Sequence, residues 1–524
     1  MRFRNSVMAG AAVAAFAFAA QAAENLTIGV ALETPSIDPY FYTFKNSTQV
    51  TQQIFDPLIR QNATQQYYPS LALSWKAIDD KTWEFKLRPG VKWHDGSPFT
   101  ADDVLYSVER AKGGIPGSAT TPSRNFLTGN KEWKKIDDLT IHVVTPLPHA
   151  TMVPDMSEVV ILSRKNSAGK ETKDYNAGPA AIGTGPFKFV EYVSGDRVVL
   201  AANPAYWGGK PAWDQVTMKN LPNNAARVSA LLSGTVDVIN DVPAEDIETV
   251  KKNPKFNVTI SPSTLMLRLM FNYRDQIPGV NGPDGKPLAK NPFQDIRVRK
   301  ALSLAVDRQR IADRIMAGTA VPASQPQPPG GHAFDTSLKP DPYDPDRAKA
   351  LLAEAGYKDG FSVMVTAPDA RWGNDKAITE AVVQMLNRIG IKAELDIVPN
   401  AVYPTRGQKG ELSLFLGAWG TPSGDGGNFL THGIHTFDEV AKLGAANWGR
   451  YSNKAVDDLI DKSNAEMDTV KREGLVRDAW RTATDDTANI WLLWVANTWA
   501  SKADLVVDPR LDAFTMGTSI SKKK

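Results

Sequence analysis

The stretch of residues 361–399, "FSVMVTAPDARWGNDKAITEAVVQMLNRIGIKAELDIVP", decides the fold class of this 524-residue chain. Its beginning, "FSVMVTAP", is an apolar run of strand length, and its end, "IKAELDIVP", has the same character. Between them, "DKAITEAVVQMLNRIG" repeats apolar residues at helical spacing and ends in glycine. A strand, a helix and a second strand in this order predict a parallel sheet covered by helices, and hence an α/β fold.

The same reasoning extends along the chain in both directions. Residues 82–87 alternate large apolar with charged side chains, which predicts a half-buried strand. Thr100 followed by Asp103 predicts a helix N-terminus closed by a capping box. Residues 295–318 predict one long amphipathic helix that ends at Gly318.

The first 22 residues have the composition of a secretory signal peptide. Arg2 and Arg4 precede an apolar run over residues 7–20, and Ala20-Gln21-Ala22 follows as a small-x-small cleavage pattern. The alternative, an uncleaved N-terminal anchor, would need a longer apolar span. We therefore expect cleavage after Ala22.

The charge and cysteine content of the chain limit the compartments in which the protein can act and the partners that it can bind. Removal of Arg2 and Arg4 leaves 58 basic residues against 58 acidic ones, so the mature chain is neutral and no nucleic-acid partner is expected. The chain has no cysteine, so neither a disulfide nor a lipid attached through an N-terminal cysteine can form. These features predict an exported, unanchored protein of the periplasm, and we expect a monomer.

Six segments together resemble the solute-binding proteins of peptide, opine and nickel ABC importers. They are "YPSLALSWKAIDDKTWEFKLRPGVKWHDGSPFTADDVLYSVER" (68–110), "GTGPFKFVEY" (183–192), "NPAYWGGKPAWD" (203–214), "RVSALLSGTVDVI" (227–239), "IRVRKALSLAVDRQRI" (296–311) and "YDPDRAKALLAEAGY" (343–357). The resemblance covers nearly the whole mature chain in the right order.

This resemblance implies a two-lobed periplasmic binding protein fold, a Venus flytrap, with an extra subdomain inserted in lobe I. The implied division is 1–22 signal peptide, 23–50 lobe I, 51–180 inserted subdomain, 181–267 lobe I, 268–489 lobe II and 490–524 lobe I again. The implied hinge crossings lie near residues 265–272 and 490–495.

An enzyme would need a constellation of residues that the sequence lacks. It contains no G-x-S-x-G elbow, no H-E-x-x-H, no P-loop lysine and no G-x-G-x-x-G behind a strand. Ser423 lacks the spacing of a nucleophile elbow, and His94 in "KWHDG" is expected to be a loop histidine with satisfied hydrogen bonds. We expect neither catalysis nor a cofactor.

The segment "LFLGAWGTPSGDGGNFL" (414–430) reads as a buried strand followed by a glycine-rich loop at the edge where open α/β sheets bind ligands. In dipeptide-binding relatives this loop resembles "GWTGDNGDPDNF", in which the aspartate three residues after the tryptophan holds the ligand's amino group. Here Pro422 stands at that position, and the next acidic residue, Asp425, is expected to substitute in part. The glycines are expected to give the backbone close access to ligand.

The resemblance implies a set of ligand-binding residues at this edge. They are Arg371, Trp419, Gly420, Asp425 and Asn428. Arg371 holds the position of the family arginine that grips the ligand carboxylate, since a guanidinium supplies a matching pair of donors. The competing interpretation of Arg371 is a solvated loop arginine.

The expected function is therefore capture of a small carboxylate-bearing, peptide-like solute, which is a peptide, a modified peptide or an opine, and its delivery to a membrane ABC permease. An alternative is a nickel or metal-chelate binding protein of the same family, indicated by His432 and His435, which are three residues apart. A third and more distant hypothesis is a secreted hydrolase.

Overall fold

The computed structural model describes residues 24–41, 45–115, 127–369, 371–421 and 423–523. The predicted signal peptide with its cleavage site, and Pro422, lie outside these ranges. Within them, no helix combines the length and the apolar character that crossing a bilayer requires.

Strands and helices are interspersed along the chain, with runs of consecutive strands over residues 59–87 and 187–220. The strands are β1 Asn25–Val30, β2 Ile59–Gln61, β3 Tyr67–Pro69, β4 Ala72–Asp79, β5 Thr82–Leu87, β6 Glu132–Asp137, β7 Thr140–Val144, β8 Phe187–Val193, β9 Arg197–Ala202, β10 Gln215–Asn220, β11 Val238–Asn240, β12 Phe256–Phe271, β13 Ala320–Pro322, β14 Ser362–Pro368, β15 Lys392–Val398, β16 Leu414–Trp419, β17 Asn489–Lys502, β18 Leu505–Val507 and β19 Ile520–Lys522. The α-helices are α1 Lys45–Ile54, α2 Ala101–Gly113, α3 Met152–Ser157, α4 Arg164–Ser167, α5 Thr172–Asn176, α6 Asn224–Leu232, α7 Ala244–Lys251, α8 Ile296–Leu304, α9 Arg308–Arg314, α10 Pro345–Glu354, α11 Asp375–Arg388, α12 Tyr403–Lys409, α13 Lys454–Ala465 and α14 Thr469–Asp485. Short 3₁₀ turns at Pro292–Gln294 and Gly517–Ser519 and a π-helix at Leu430–Ile434 complete the list.

An eleven-stranded sheet runs through the molecule in the order β15-β14-β16-β12-β17-β11-β1-β10-β9-β8, and β13 pairs with β17 beside this path. The long strands β12 and β17 are antiparallel and lie in the middle, so strands from both halves of the sheet attach to them. Their pairing is interrupted between Pro262 and Met266. There Ser263 Oγ donates to Val495 O at 2.5 Å and Thr264 N donates to Leu511 O at 3.2 Å. The lobe boundaries given above remain a prediction.

The α/β unit predicted from residues 361–399 is confirmed. Strands β14 and β15 are parallel, with Ser362 opposite Lys392 and Pro368 opposite Val398, and α11 connects them. Strand β16 runs parallel to β14 on its other side. The carboxyl ends of these three strands therefore meet at one edge of the sheet.

A separate four-stranded sheet, β4-β5-β7-β6, lies within residues 72–144. Its strand β5 confirms the alternation predicted for residues 82–87, with Phe85 fully buried. The capping box predicted at the start of α2 is also present, and Asp103 accepts a hydrogen bond from the Thr100 backbone N–H at 3.0 Å.

The single long helix predicted for residues 295–318 is wrong, because the chain forms two helices, α8 and α9. Asp307 starts the second helix by accepting a hydrogen bond from Arg310 N at 2.9 Å. The buried Arg308 guanidinium donates to Ser303 O and Val306 O, at 3.0 and 3.3 Å, and so satisfies carbonyls at the break. Arg308 Nε also donates to Trp491 O of β17 at 2.6 Å, so a tertiary contact outweighs the amphipathic periodicity.

The two faces of the sheet around β12 are packed differently. Leu267 and Leu269 belong to a large aliphatic cluster on one face. Met266 and Met270 belong to two smaller clusters, rich in aromatic side chains, on the other face. Arg268 lies between these methionines in sequence, so its side chain points to the aromatic face.

Candidate ligand-binding site

The loops that follow β14, β15 and β16 all emerge at one edge of the sheet. Thr366 of β14 lies opposite Phe415 of β16, and Pro368 lies opposite Val398 of β15. In open α/β sheets the carboxyl ends of the strands are the ordinary place for ligands. Every ligand-binding residue predicted from the sequence follows or ends one of these strands.

Trp419 ends β16 and packs against Phe429, with ring centroids 5.0 Å apart. Phe429 in turn stacks on Trp480 of α14, at 5.8 Å with an interplanar angle of 11°. The indole Nε1 of Trp419 is buried, and no group in the described ranges accepts its hydrogen bond. The tryptophan therefore has an unused donor beside the loop.

The glycines of the loop approach protein groups closely. A Cβ at Gly424 would lie 2.8 Å from Gln65 Cβ, and one at Gly426 would lie 2.6 Å from His332 O. A Cβ at Gly427 would lie 2.8 Å from Nη2 of Arg472. These three glycines thus allow the loop to pack against other segments, whereas the sequence analysis assigned the close approach to ligand.

Gly420 is different because it is exposed. A Cβ there would have only Thr264 Oγ1 nearby, at 3.9 Å. Thr264 belongs to the interruption in the β12–β17 pairing, so Gly420 lies beside the crossing between the two halves of the sheet.

Asp425 is buried and has a charged partner of its own. Its two carboxylate oxygens accept hydrogen bonds from Nη1 and Nη2 of Arg472, at 2.7 and 3.1 Å. Burial alone would raise the pKa of Asp425, but the guanidinium holds that pKa below its usual range. An amino group that contacted this carboxylate would have to share it with Arg472.

A second set of contacts joins the loop to the segment around β3. Tyr67 Oη donates to Ser423 O at 2.6 Å, and Gln65 Nε2 donates to Thr421 O at 2.9 Å. The Tyr67 ring also stacks on His332 at 4.8 Å. A cavity of about 210 Å³ lies next to these contacts, lined by Trp75, Trp83, Asp425, Arg472 and others.

Arg371 is exposed at the start of α11. Its Nη1 donates to Asn400 Oδ1 at 2.8 Å, and its backbone N–H donates to Asp375 Oδ2 at 2.8 Å. Asn400 follows β15, so the arginine bridges two of the loops at the edge of the sheet where β14, β15 and β16 end. We call this edge the ligand edge. The Cζ of Arg371 also lies 5.4 Å from the centroid of the Trp372 ring. Both of these side-chain partners are neutral, and Arg371 forms no salt bridge with the described residues, so its charge is available to an anion.

Asn428 is half-buried, and its backbone N–H donates to Asp425 O at 3.2 Å. Its side-chain amide forms no hydrogen bond with the residues that the structure describes.

The two histidines considered for a metal site have different surroundings. His435 Nε2 lies 3.3 Å from Asp461 Oδ1, and His435 Nδ1 lies 2.7 Å from Thr436 O. Burial lowers the pKa of His432, and Asp425 opposes this effect. Within the described ranges, no three or more His, Asp or Glu side chains are grouped to hold a metal ion.

Arg268 was not among the residues predicted from the sequence. This residue of β12 is 3% exposed, and its Cζ lies 4.1 Å from the centroid of the Phe429 ring. Burial lowers the pKa of Arg268 to about 9. The available signal was an arginine inside the apolar run "LMLRLMFN" (265–272), where a charged residue is unexpected.

The chain is similar to known proteins along most of its length. Residues 66–438 match the family described as "Bacterial extracellular solute-binding proteins, family 5 Middle". The heme-binding protein A of Haemophilus influenzae is 28% identical over 455 residues, 82% of this chain and 79% of that protein. The dipeptide-binding protein of Escherichia coli is 30% identical over 447 residues, 79% of this chain and 78% of that protein. The structure of HbpA2 from Haemophilus parasuis matches with a TM-score of 0.83 at 24% identity, covering 95% of this chain and 100% of that one.

The family match spans more than half of the chain, so the chain belongs to the family 5 bacterial extracellular solute-binding proteins. The two-lobed periplasmic binding protein fold predicted from the sequence is confirmed. The protein is the substrate-binding component of an ABC transporter and not an enzyme. Members of this family act outside the cytoplasm, bind peptides or other small ligands and work with an ABC permease.

Proposed function

We propose that this protein captures a small carboxylate-bearing, peptide-like solute, which is a peptide, a modified peptide or an opine, and delivers it to its permease. The observation that carries the proposal is the ligand edge itself. Arg371, Trp419 and Gly420 lie at the ends of neighbouring parallel strands, and Arg371 has a charge that no carboxylate among the described residues neutralises.

The names of two relatives support a carboxylate in the ligand. One is named for heme and the other for dipeptides, and both compounds carry carboxylate groups. An exposed guanidinium can bind such a group by donating two parallel hydrogen bonds to it.

The site residues that we propose are those predicted from the sequence. Arg371 contacts the carboxylate, while Trp419, Gly420 and Asn428 line the wall. Asp425 contributes together with Arg472, because the two side chains are already joined. At Pro422 the amine acceptor of the dipeptide-binding relatives is missing, so the ligand's amine is modified, secondary or displaced.

We extend the proposal to the export, oligomeric state and closure of the protein. Residues 1–22 direct export and are removed, the mature protein acts as a monomer, and it has no nucleic-acid partner. Closure about the β12–β17 crossing buries the ligand.

Native mass spectrometry of the protein purified from its own periplasm tests the proposal. We expect an intact mass that begins at Ala23 and a co-purified ligand of a few hundred daltons that contains a carboxylate. Calorimetry with alanyl-alanine, its N-acetyl form and an opine then ranks the ligand classes. A co-purified nickel complex would favour the metal-chelate alternative, and clearly tighter binding of the unmodified dipeptide than of the other two compounds would contradict the amine assignment.

A further inference from the structure

We propose that Arg268 anchors a carboxylate of the ligand at the inner end of the site, with the indole N–H of Trp419 as a second donor. This inference rests on the proposed function and deepens it. It assigns the buried end of the site to a residue that no motif of the sequence indicated.

Arg268 differs from the other buried arginines of the described chain because its guanidinium forms no hydrogen bond with the described residues. Arg308 donates to Trp491 O, Ser303 O and Ser303 Oγ at 2.6 to 3.0 Å. Arg227 likewise donates to backbone carbonyls on several segments. In Arg268, by contrast, Nε and Nη1 are buried without a partner.

The charge of Arg268 is also uncompensated in the part of the chain that the structure describes. Its guanidinium forms no salt bridge with the described residues. Tyr403 opposes the effect of burial on the pKa of Arg268, and the Tyr403 hydroxyl donates a hydrogen bond to Leu416 O. The carboxylate of Asp375 is engaged by the backbone N–H groups of Arg371 and Trp372. Asp425 is neutralised by Arg472.

Magnitudes show that the protein alone does not stabilise this cation. Contact with the Phe429 ring contributes up to about 2 kcal/mol for a desolvated cation. Removing an unpaired charge from water costs several kcal/mol in real proteins. An anion that binds in the site would offset the part of the burial cost that the ring contact leaves. A carboxylate matches the forked donors of arginine.

Trp419 supplies a second unpaired donor at the same place. Its ring and the Arg268 guanidinium both contact Phe429, at 5.0 and 4.1 Å. Trp419 Nε1 is buried and unpaired like the two nitrogens of Arg268. Two side chains with three unpaired donor nitrogens lie against one aromatic ring, beside the loop that follows β16, and they define a site for an acceptor-rich group.

The position of Arg268 connects it with the ligand edge. It pairs with Gly417, two residues before Trp419, and lies two residues beyond Met266, where the β12–β17 pairing resumes. Burial raises the pKa of Tyr403, and the nearby Arg268 and Arg371 both oppose this effect. Arg268 is therefore the inner cation of the site, and the exposed Arg371 is the outer one.

The first test compares thermal unfolding of the ligand-free protein and two variants. Arg268→Met should raise the unfolding temperature by several degrees, because it replaces an uncompensated charge with an apolar side chain of similar length. The matched control, Arg308→Met, should lower it, because it leaves bonded carbonyls without donors. An Arg268→Met variant that is destabilised like the control would identify Arg268 as a structural cation and overturn the proposal.

The second test uses calorimetry with N-acetyl-alanyl-alanine and its C-terminal amide. The parent should prefer the acid at least tenfold, Arg268→Met should keep only the few-fold preference that the outer Arg371 supplies, and Arg371→Gln should weaken the acid only a few-fold. Loss of the preference in Arg371→Gln with its retention in Arg268→Met would overturn the proposal and leave the proposed function standing. If neither probe binds the parent, this peptide class is wrong, and the unfolding experiment alone decides the role of Arg268.

Discussion

The hydroxyl of Tyr67 donates a 2.6 Å hydrogen bond to the backbone carbonyl of Ser423, across 356 residues of sequence. Tyr67 belongs to the segment predicted as the inserted subdomain, and Ser423 to the ligand loop predicted in lobe II. The bond therefore links two parts of the molecule that are expected to move apart when the cleft opens.

Tyr67→Phe should make the open form more populated. One hydrogen bond of this kind contributes about 1 kcal/mol, so the apparent ligand affinity should fall about fivefold. Small-angle scattering of the ligand-free variant should give a larger radius of gyration than the parent. Tyr68→Phe is the matched control, because the neighbouring Tyr68 is exposed and its side chain forms no hydrogen bond within the described residues. Identical scattering profiles for the parent and Tyr67→Phe would show that this hydrogen bond does not favour the closed form.

Arg472→Met should destabilise the protein by about 3–5 kcal/mol, because it leaves the Asp425 carboxylate buried without a cation. Removing both charges, in Arg472→Met with Asp425→Asn, should recover much of that loss. Denaturant unfolding measures both effects. Arg477→Met is the control, since Arg477 forms a half-exposed pair with Glu473 at 3.6 Å and should cost less than about 1 kcal/mol. A double variant as unstable as Arg472→Met would show that the pair contributes more than charge compensation.

The stability of the protein should fall as the pH drops from about 6.5 towards 4, and His94 should account for part of this fall. Its Nδ1 accepts a hydrogen bond from Gly183 N–H at 3.2 Å, which leaves Nε2 to donate to Gly185 O at 3.0 Å. Burial lowers the pKa of His94 to about 4. Protonation therefore favours the unfolded chain below pH 6.5, by up to about 3 kcal/mol. His94→Gln should reduce the difference in unfolding free energy between pH 7 and pH 4.5, and an unchanged difference would rule out this assignment.

Pro422→Asp should create an affinity for simple dipeptides that the parent lacks. The new carboxylate would stand where dipeptide-binding relatives hold the ligand's amino group, and a charged hydrogen bond is worth about 1.5–3 kcal/mol, or tenfold to a hundredfold in affinity. Calorimetry with alanyl-alanine measures the gain. Pro422→Asn offers a similar shape without the charge and should gain little. Equal gains in both variants would point to a change in the loop backbone.

Local patterns were sufficient to predict several elements of the fold. Alternation identified β5, the order of strand, helix and strand identified the parallel unit around α11, and Thr100 with Asp103 marked the start of α2. Each of these signals lies within a short segment of the chain and depends on local backbone geometry, which the folded structure preserves.

The charges of the site could not be predicted in the same way. Asp425 and its partner Arg472 are 47 residues apart in sequence, so the pairing depends on how α14 packs on the loop. The role of Arg268 could not be predicted because it depends on a guanidinium that has no partner. That feature can be recognised only when all neighbouring residues are known. The break between α8 and α9 escaped prediction because a buried arginine contact decides it.

The central position of β17 has a consequence for how the protein reaches its native state. This strand pairs with β12 over most of its length, with β11 near its end and with β13 near its middle. Until residues 489–502 have been delivered, β11, β12 and β13 each lack a neighbour, and the chain presents open strand edges that invite association with other chains. The central sheet can therefore be completed only after the C-terminal part of the chain is present. A product truncated before residue 489 should aggregate, because the strands that pair with β17 would keep unpaired edges.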